Sequence, residues 1–412
     1  MKNKNIPEIR FKGFSEAWEQ RKLKDIANYI DGNYGENYPK EEEFVDFGIP
    51  FFTSAVIGTE GIWNYKFVKY ITEDKNIILK KAQSKGTDII LTNRGASMGV
   101  VCQIPRFYQD VNIGPQLTRI RGNKEVLDNL FLLSQLKTKR CQENLLASNA
   151  GSAMPFISIL NLGNLDIVLP KLEEQKKVGE FLKNLDNLIT LHQRKYDKLK
   201  ELKISLLEKM FPKNNEKVPN VRFKGFTEAW EQSKLEEISN IFDGTHQTPD
   251  YKNEGIMFLS VENIKNLQSN KYISNEDFKK NFKIFPQKND ILMTRIGDIG
   301  TTNIVKDNSP KAYYVSLALI KPINISSYFL NQSIKSLYVQ KELKERSLLT
   351  AIPMKINKDQ IGKINILYPK DIKEQQSIGL LFDKLDNLIT LHQRKLDKFK
   401  NIKKALLEKM FI

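Results

Sequence analysis

Between residues 172 and 210 apolar side chains return every three or four positions with no intervening proline: Val178, Leu182, Leu185, Ile189, His192, Tyr196, Leu199, Leu202, Leu206 and Met210, His192 being the strongly polar member. That period puts them on one stripe of a helix, and the run predicts a single amphipathic or coiled-coil helix of about 39 residues, roughly 60 Å at 1.5 Å per residue. The series recurs as Ile378, Phe382, Leu385, Ile389, His392, Leu396, Phe399, Ile402, Leu406 and Met410. Two helices with one apolar stripe each bury them most simply against one another. The expected seam therefore joins Leu185, Ile189, His192, Tyr196 and Leu199 to Leu385, Ile389, His392, Leu396 and Phe399, with the two histidines packed in it and fixing its register.

Ahead of each helix the period changes. Short β-branched and aromatic runs alternate with Gly, Asn and Pro, which predicts compact α+β domains with irregular, mostly antiparallel sheets and long loops. Pro212 through Pro219 is the clearest break between the halves. The expected organisation is a first domain at 1–170, a helix and linker at 171–217, a second domain at 218–369 and a closing helix at 370–412.

The halves are copies. Residues 6–28, IPEIRFKGFSEAWEQRKLKDIAN, return as 218–240, VPNVRFKGFTEAWEQSKLEEISN, identical at 15 of 23 positions. Residues 185–211 return as 385–411, identical at 21 of 27. The interiors between these frames keep only spaced landmarks: Asp31-Gly32-Asn33-Tyr34 against Asp243-Gly244-Thr245-His246, and Asp88 through Thr92 against Asp290 through Thr294. A third pair is Ala153-Met154-Pro155 against Ala351-Ile352-Pro353. The interiors share a plan but not a surface.

Composition adds a partner. The chain carries a formal charge of +16, and clustered Lys and Arg favour a polyanion, nucleic acid first, although a generally lysine-rich composition gives the same sum. Cys102 and Cys141 have no metal-ligand spacing and read as reduced core residues. With no apolar run near the roughly 20 residues of a membrane span, a soluble, cytoplasmic protein without a membrane partner is expected.

Pro170-Lys171-Leu172-Glu173-Glu174-Gln175, Pro369 through Glu374-Gln375, Asp243-Gly244-Thr245-His246-Gln247-Thr248-Pro249 with Gly255 through Leu259, and the two Asp-Ile-x-x-Thr strands, in this order and duplicated, resemble the specificity subunit of a type I DNA restriction-modification system over essentially the whole chain. The resemblance implies two target-recognition domains separated by an antiparallel pair of helices in a pseudo-twofold tandem repeat, each domain reading half of a bipartite, asymmetric site on double-stranded DNA. It also implies a non-catalytic chain. Two methylation subunits would transfer methyl from S-adenosylmethionine to adenine N6, and restriction subunits would add ATP- and magnesium-dependent translocation and cleavage, leaving this chain no cofactor or metal of its own. The first domain departs from the pattern, since Asp31 through Tyr38 lacks the His-Gln-Thr-Pro of the second.

The residues agree with a chain that reads rather than reacts. There is no Asn/Asp-Pro-Pro-Tyr/Phe motif and no Gly-x-x-x-x-Gly-Lys-Ser/Thr loop. Gly95 and Gly99, like Gly297 and Gly300, follow a strand, but β-type residues come next, so a hairpin turn is expected and not a nucleotide site. These turns supply candidate DNA-binding residues: Thr92, Asn93 and Arg94 in one copy, Thr294, Arg295 and Asp298 in the other, since Arg pairs with guanine and Asn with adenine in the major groove. Asn33, Tyr34, His246 and Gln247 join them from the first loops. The alternative for the arginines is capping a turn or pairing with a carboxylate, and for His246 and Gln247 ordinary turn stabilisation.

Phe11, Phe14 and Trp18, matched by Phe223, Phe226 and Trp230, are either a docking surface for partner subunits or module core; near-verbatim repetition favours docking, because two identical partners need two equivalent surfaces. Lys195, Lys198 and Lys203 are expected to be solvated helix surface, with phosphate tracking as the alternative. Two rival functions remain open. One is a self-sufficient basic nuclease using Pro249-Asp250 and Asp277-Phe278-Lys279; the other is a coiled-coil adaptor that binds no DNA.

Overall fold

The computed structural model describes residues 5–36, 38–58, 61, 63–147, 155–213, 216–348 and 351–412, so the Ala153-Met154 landmark lies outside the described residues. Two 38-residue helices dominate it, Leu172–Lys209 and Ile372–Lys409, each about 57 Å long at 1.5 Å per residue. The chain divides into one unit of residues 1–192 with 395–412 and another of 193–394. The boundaries thus fall inside the two helices, whereas the expected segments ended where the helices begin. The reason is packing: each unit buries the start of one long helix and the end of the other.

In the first unit the central strand Ile89–Thr92 is buried along its whole length, which is why it reads as a continuous apolar run. It pairs antiparallel with Val101–Gln103 and Leu117–Gly122, and the latter with Ala27–Asp31. A second sheet is ordered Phe44–Val45, Lys69–Ile71, Ile49–Phe52, Asn112–Ile113, and only its last pairing is parallel. A two-stranded ribbon, Glu19–Lys22 against Asp166–Leu169, brings the repeated N-terminal frame to the root of the first long helix.

The second unit repeats this plan on different residues. Ile291–Thr294 is the buried central strand, antiparallel to Thr302–Ile304 and Leu317–Pro322, with Ser239–Asp243 at the edge. The smaller sheet is Tyr272–Ile273, Ile256–Leu259 and Lys311–Tyr313, and Glu231–Lys234 pairs with Asn365–Tyr368. The folds are α+β with largely antiparallel sheets.

The repeated frames explain themselves as clamps. In the first unit Arg10 donates to both oxygens of the buried Glu174 carboxylate at 2.6 and 2.8 Å, and Gln175 caps the neighbouring turns through Asp128 N, Val126 O and Pro170 O. Trp18, 2% exposed, packs edge-on to Phe131 and Phe411, the latter from the end of the second long helix. In the second unit Arg222 holds Glu374 at 2.7 and 2.8 Å, and Trp230 packs on Phe211 and Phe329.

The expected docking role of Trp18 and Trp230 is therefore corrected: both are core. The frames are repeated because each must fit the same two helix ends at once, so its composition is constrained by shape and charge as tightly as an interface would be. Phe11 and Phe223 are half-buried against the same cores, and Phe14 and Phe226 are half-buried. Phe14 carries the Lys177 ammonium over its ring at 4.8 Å.

The helix seam is corrected in one step. In the first unit Leu185 and Leu396 are buried, Ile189 is half-buried, and His192 stacks on Phe399 at 5.5 Å; in the second, Leu385 is buried and Tyr196, Leu199, Ile389 and His392 are half-buried. Leu202 and Ile402, however, are exposed, and Lys203 and Lys403 take the seam instead. Four residues beyond position 199 lie about 40° off its direction and three residues about 60° off, so the lysine stem is the better placed. Lys203 then reaches Asp386 at 2.5 Å within the second unit, and Lys403 pairs with Asp186 within the first. Ion pairing thus removes Lys203 from any phosphate-tracking role, while Lys195 and Lys198 are exposed. Among the described residues no helix is long and apolar enough to cross a membrane.

Candidate nucleic-acid interface

In each unit several loops converge at one end of the larger sheet. In the first unit these are the segment after Asp31, the hairpin turn at 93–99, the turn at 114–116 and the strand-like contact at Phe156. Asn93 ties them together: its amide donates to Asp31 at 3.2 Å, to Pro115 O at 3.2 Å and to Thr118 Oγ1 at 3.0 Å, while its backbone carbonyl accepts from Ile157 N at 2.8 Å. Asn33 is also buried, bonded to Asn112, and its backbone donates to Ile113 O.

The second unit builds the same cluster with Arg295 where the first has Asn93. Its guanidinium pairs with Asp243 and donates to Ile356 O at 3.1 Å, and its backbone N–H donates to Ser316 O at 3.0 Å. Asp243 in turn takes a bond on its backbone carbonyl from Tyr313, whose phenol is pushed well above its ordinary pKa, first of all by burial. Both hairpin turns carry their glycines at positive φ, +86° at Gly99 and +88° at Gly300, where a side chain would also meet Gln142 in one copy and Gln340 in the other. The turn expected from the β-type residues that follow is what forms, with Val101–Gln103 and Thr302–Ile304 continuing as strands.

This geometry divides the candidates. Asn33, Thr92, Asn93, Thr294 and Arg295 are buried and, except for the Thr92 hydroxyl, spend their polar atoms inside the module; they build the loops and do not present themselves to a groove. Their place as base readers is corrected on that ground. Tyr34, Arg94, His246, Gln247 and Asp298 remain exposed. Tyr34 is 65% exposed under the Lys81 ammonium, 4.7 Å from its ring, and Arg94 lies 4.6 Å over the Phe156 ring. Asp298 accepts a bond from Thr301 Oγ1 at 2.7 Å on one oxygen.

The nuclease reading finds no support in the geometry. Asp250 pairs with Lys252, Asp277 accepts from Ser274 Oγ at 2.7 Å as part of a helix cap, and Phe278 is core. Among the described residues no group of His, Cys, Asp and Glu is arranged to hold a metal ion. Both cysteines are buried and free, and burial pushes the Cys102 thiol up to about 12.

Sequence reasoning missed a second apolar stripe. Leu188 and Leu191 in the first unit are 40% and 46% exposed, and Leu388 and Leu391 in the second are 43% and 44% exposed. They sit in the verbatim LDNLITLHQRK segment, off the seam, where the repeat itself was the available signal.

Two tandem α+β modules, each with a matched loop cluster on a common scaffold and a different set of outward side chains, define a duplicated recognition protein. The family described as type I restriction modification DNA specificity domain matches twice, over residues 15–201 and 227–401, and the chain belongs to it. The type I restriction enzyme MjaVIII specificity subunit of Methanocaldococcus jannaschii is 25% identical over 98% of this chain and 95% of that protein, and the MjaIX specificity subunit of the same organism is 24% identical over 95% and 92%. In fold, the chain is similar to the S subunit of a type I restriction-modification system from M. genitalium, with a TM-score of 0.65 at 18% identity, covering 99% of each chain. This chain is accordingly a DNA sequence-recognition subunit of the type I restriction-modification class; its role is recognition, and catalysis lies with partner subunits.

Proposed function

We propose that each unit reads one half of a bipartite, asymmetric target on double-stranded DNA and so directs adenine-N6 methylation, and restriction, by partner subunits. One observation carries this: the two loop clusters are latched by equivalent bonds, Asn93 to Asp31 and Arg295 to Asp243, yet expose unlike side chains. Tyr34 and Arg94 face outward in the first, and His246, Gln247 and Asp298 in the second. A common scaffold with different donors and acceptors is what two unlike half-sites require, because base edges are distinguished by their hydrogen-bond pattern. The charge of +16 supplies sequence-independent attraction to phosphates.

The partners are two methylation subunits and, in the full complex, restriction and translocation subunits. The exposed pairs Leu188 with Leu191 and Leu388 with Leu391 support two equivalent docking sites, one on each unit. Phe14 and Phe226, half-buried within the verbatim frames, are the remaining candidates from those frames. S-adenosylmethionine, ATP and magnesium belong on the partners, a reading supported by glycine turns that lead into strands instead of phosphate-binding helices. The complex works in the cytoplasm, where its DNA lies.

Mapping N6-methyladenine across a genome that carries this chain and its methylation partners tests the reading. One bipartite motif, lost when this chain is deleted, is expected; methylation that persists unchanged without the chain sinks it.

A further inference from the structure

We infer that Ile352 reads the C5-methyl group of a thymine in the major groove of the half-site recognised by the second unit. The inference rests on the proposed DNA-reading role of that loop cluster and adds to it a residue and a chemical group.

Ile352 is 100% exposed, in a segment whose other isoleucine, Ile356, is 0% exposed. A branched apolar side chain held wholly in water gains nothing for the fold. Its backbone is nevertheless well anchored. Leu348 N donates to Lys355 O at 2.8 Å, Ala351 N to Leu348 O at 3.2 Å, and the segment is tied to the hairpin turn by Gly297 N to Met354 O at 2.8 Å and Ile356 N to Arg295 O at 3.0 Å. The result is a short apolar prong fastened beside the turn that carries Asp298.

The neighbour specifies the groove. Asp298 is exposed and, ionised, only accepts hydrogen bonds. Close to DNA a carboxylate is repelled by phosphates unless it meets an amino group. The major-groove edges supply such groups as adenine N6 and cytosine N4, and there an A·T pair carries its amino group and the thymine methyl on the same edge, with thymine O4 between them. The minor groove has no methyl at all. A carboxylate and an apolar tip on adjoining, mutually bonded loops therefore match the major-groove edge, and Lys355, next to the prong, is available to the flanking phosphates. In the first unit the residue matching Ile352, Met154, lies outside the described residues.

The test uses the full chain with its methylation partners and a duplex bearing the mapped target. Uracil replaces each thymine of the second half-site in turn, which removes only the methyl group, and affinity is read by fluorescence anisotropy for wild type and Ile352→Ala. One uracil should weaken wild type about fourfold, the worth of one buried methyl-sized group, and Ile352→Ala should bind the thymine and uracil duplexes equally. If no uracil weakens wild type, or if Ile352→Ala keeps the full thymine preference, the assignment is wrong. Weaker binding by Ile352→Ala with no dependence on the methyl would make the residue a wedge between bases and would equally overturn it. Failure of wild type to prefer the mapped duplex over a scrambled one is a different result and removes the DNA-reading proposal itself. Because Ile352 is fully exposed, the variant should melt like wild type.

Discussion

The side-chain amide of Asn93 donates to the Asp31 carboxylate at 3.2 Å, binding a hairpin turn to the edge strand of its sheet across 62 residues of chain. Arg295 and Asp243 do the same in the second unit across 52 residues. A neutral amide and a guanidinium thus perform one structural task at equivalent places, so a difference between the copies at this position is not a difference in DNA read there. The residue beside Asn93 is the one that faces out.

Asn93→Ala and Arg94→Ala should accordingly separate stability from recognition. Losing Asn93 removes the amide that ties Asp31, Pro115 O and Thr118 together, leaving Asp31 only its bond from Thr118 Oγ1, and should cost about 1–3 kcal/mol in urea unfolding of the chain. Arg94→Ala, which loses an exposed stacking contact with Phe156, should leave unfolding within about 1 kcal/mol of wild type and weaken discrimination in the first half-site by about 1–3 kcal/mol. Competition binding against duplexes altered in one half-site reads the second effect; an Arg94 variant that discriminates as wild type does would exclude it from the interface.

Trp18→Ala and Trp230→Ala should each destabilise the free chain by about 3–5 kcal/mol, because each empties a core site between two phenylalanines. Thermal unfolding without any partner present is the measurement. Wild-type melting with lost partner binding would return these residues to a docking surface.

Leu191→Glu and Leu391→Glu remove apolar groups that the free chain leaves in water, so each should change stability by no more than about 0.5 kcal/mol. Either alone should reduce the stoichiometry of bound methylation subunits from two to one in analytical ultracentrifugation, and the pair should abolish binding. Retention of two subunits by the double variant would place docking elsewhere.

Lys335 gives a pH signature. Burial pushes its ammonium down to about 8, the neighbouring Lys203 and Lys306 push the same way, and Asp386 opposes them. An unfolded lysine titrates near 10.5, so between about pH 8 and 10.5 the unfolded chain binds the extra proton and stability attributable to this residue rises with pH. Relative to Lys335→Met, wild type should gain stability across that window in chemical denaturation, and a difference independent of pH would contradict the assignment.

Much of this protein was legible before any coordinates. The tandem copy, the two long helices and the largely antiparallel α+β modules follow from repeats and from periods of 3.6 and 2, which are local properties of the chain. The Glu174–Gln175 and Glu374–Gln375 pairs were visible as signatures, though not as the clamps they form with Arg10 and Arg222.

What only the tertiary structure decided is which polar and apolar residues face water. Asn93 and Arg94 are neighbours of similar loop character, yet one is buried by partners as far away as Asp31 and the other is exposed. The Lys203 ammonium is held out of water by Asp386 on the other long helix, and Trp18 is core because Phe411 arrives from the far end of the chain. Exposure is set by such long-range partners, whereas periodicity is set by adjacent residues. The sequence by itself therefore determined two recognition modules on long helices, and the packing determined which side chains are left to meet DNA.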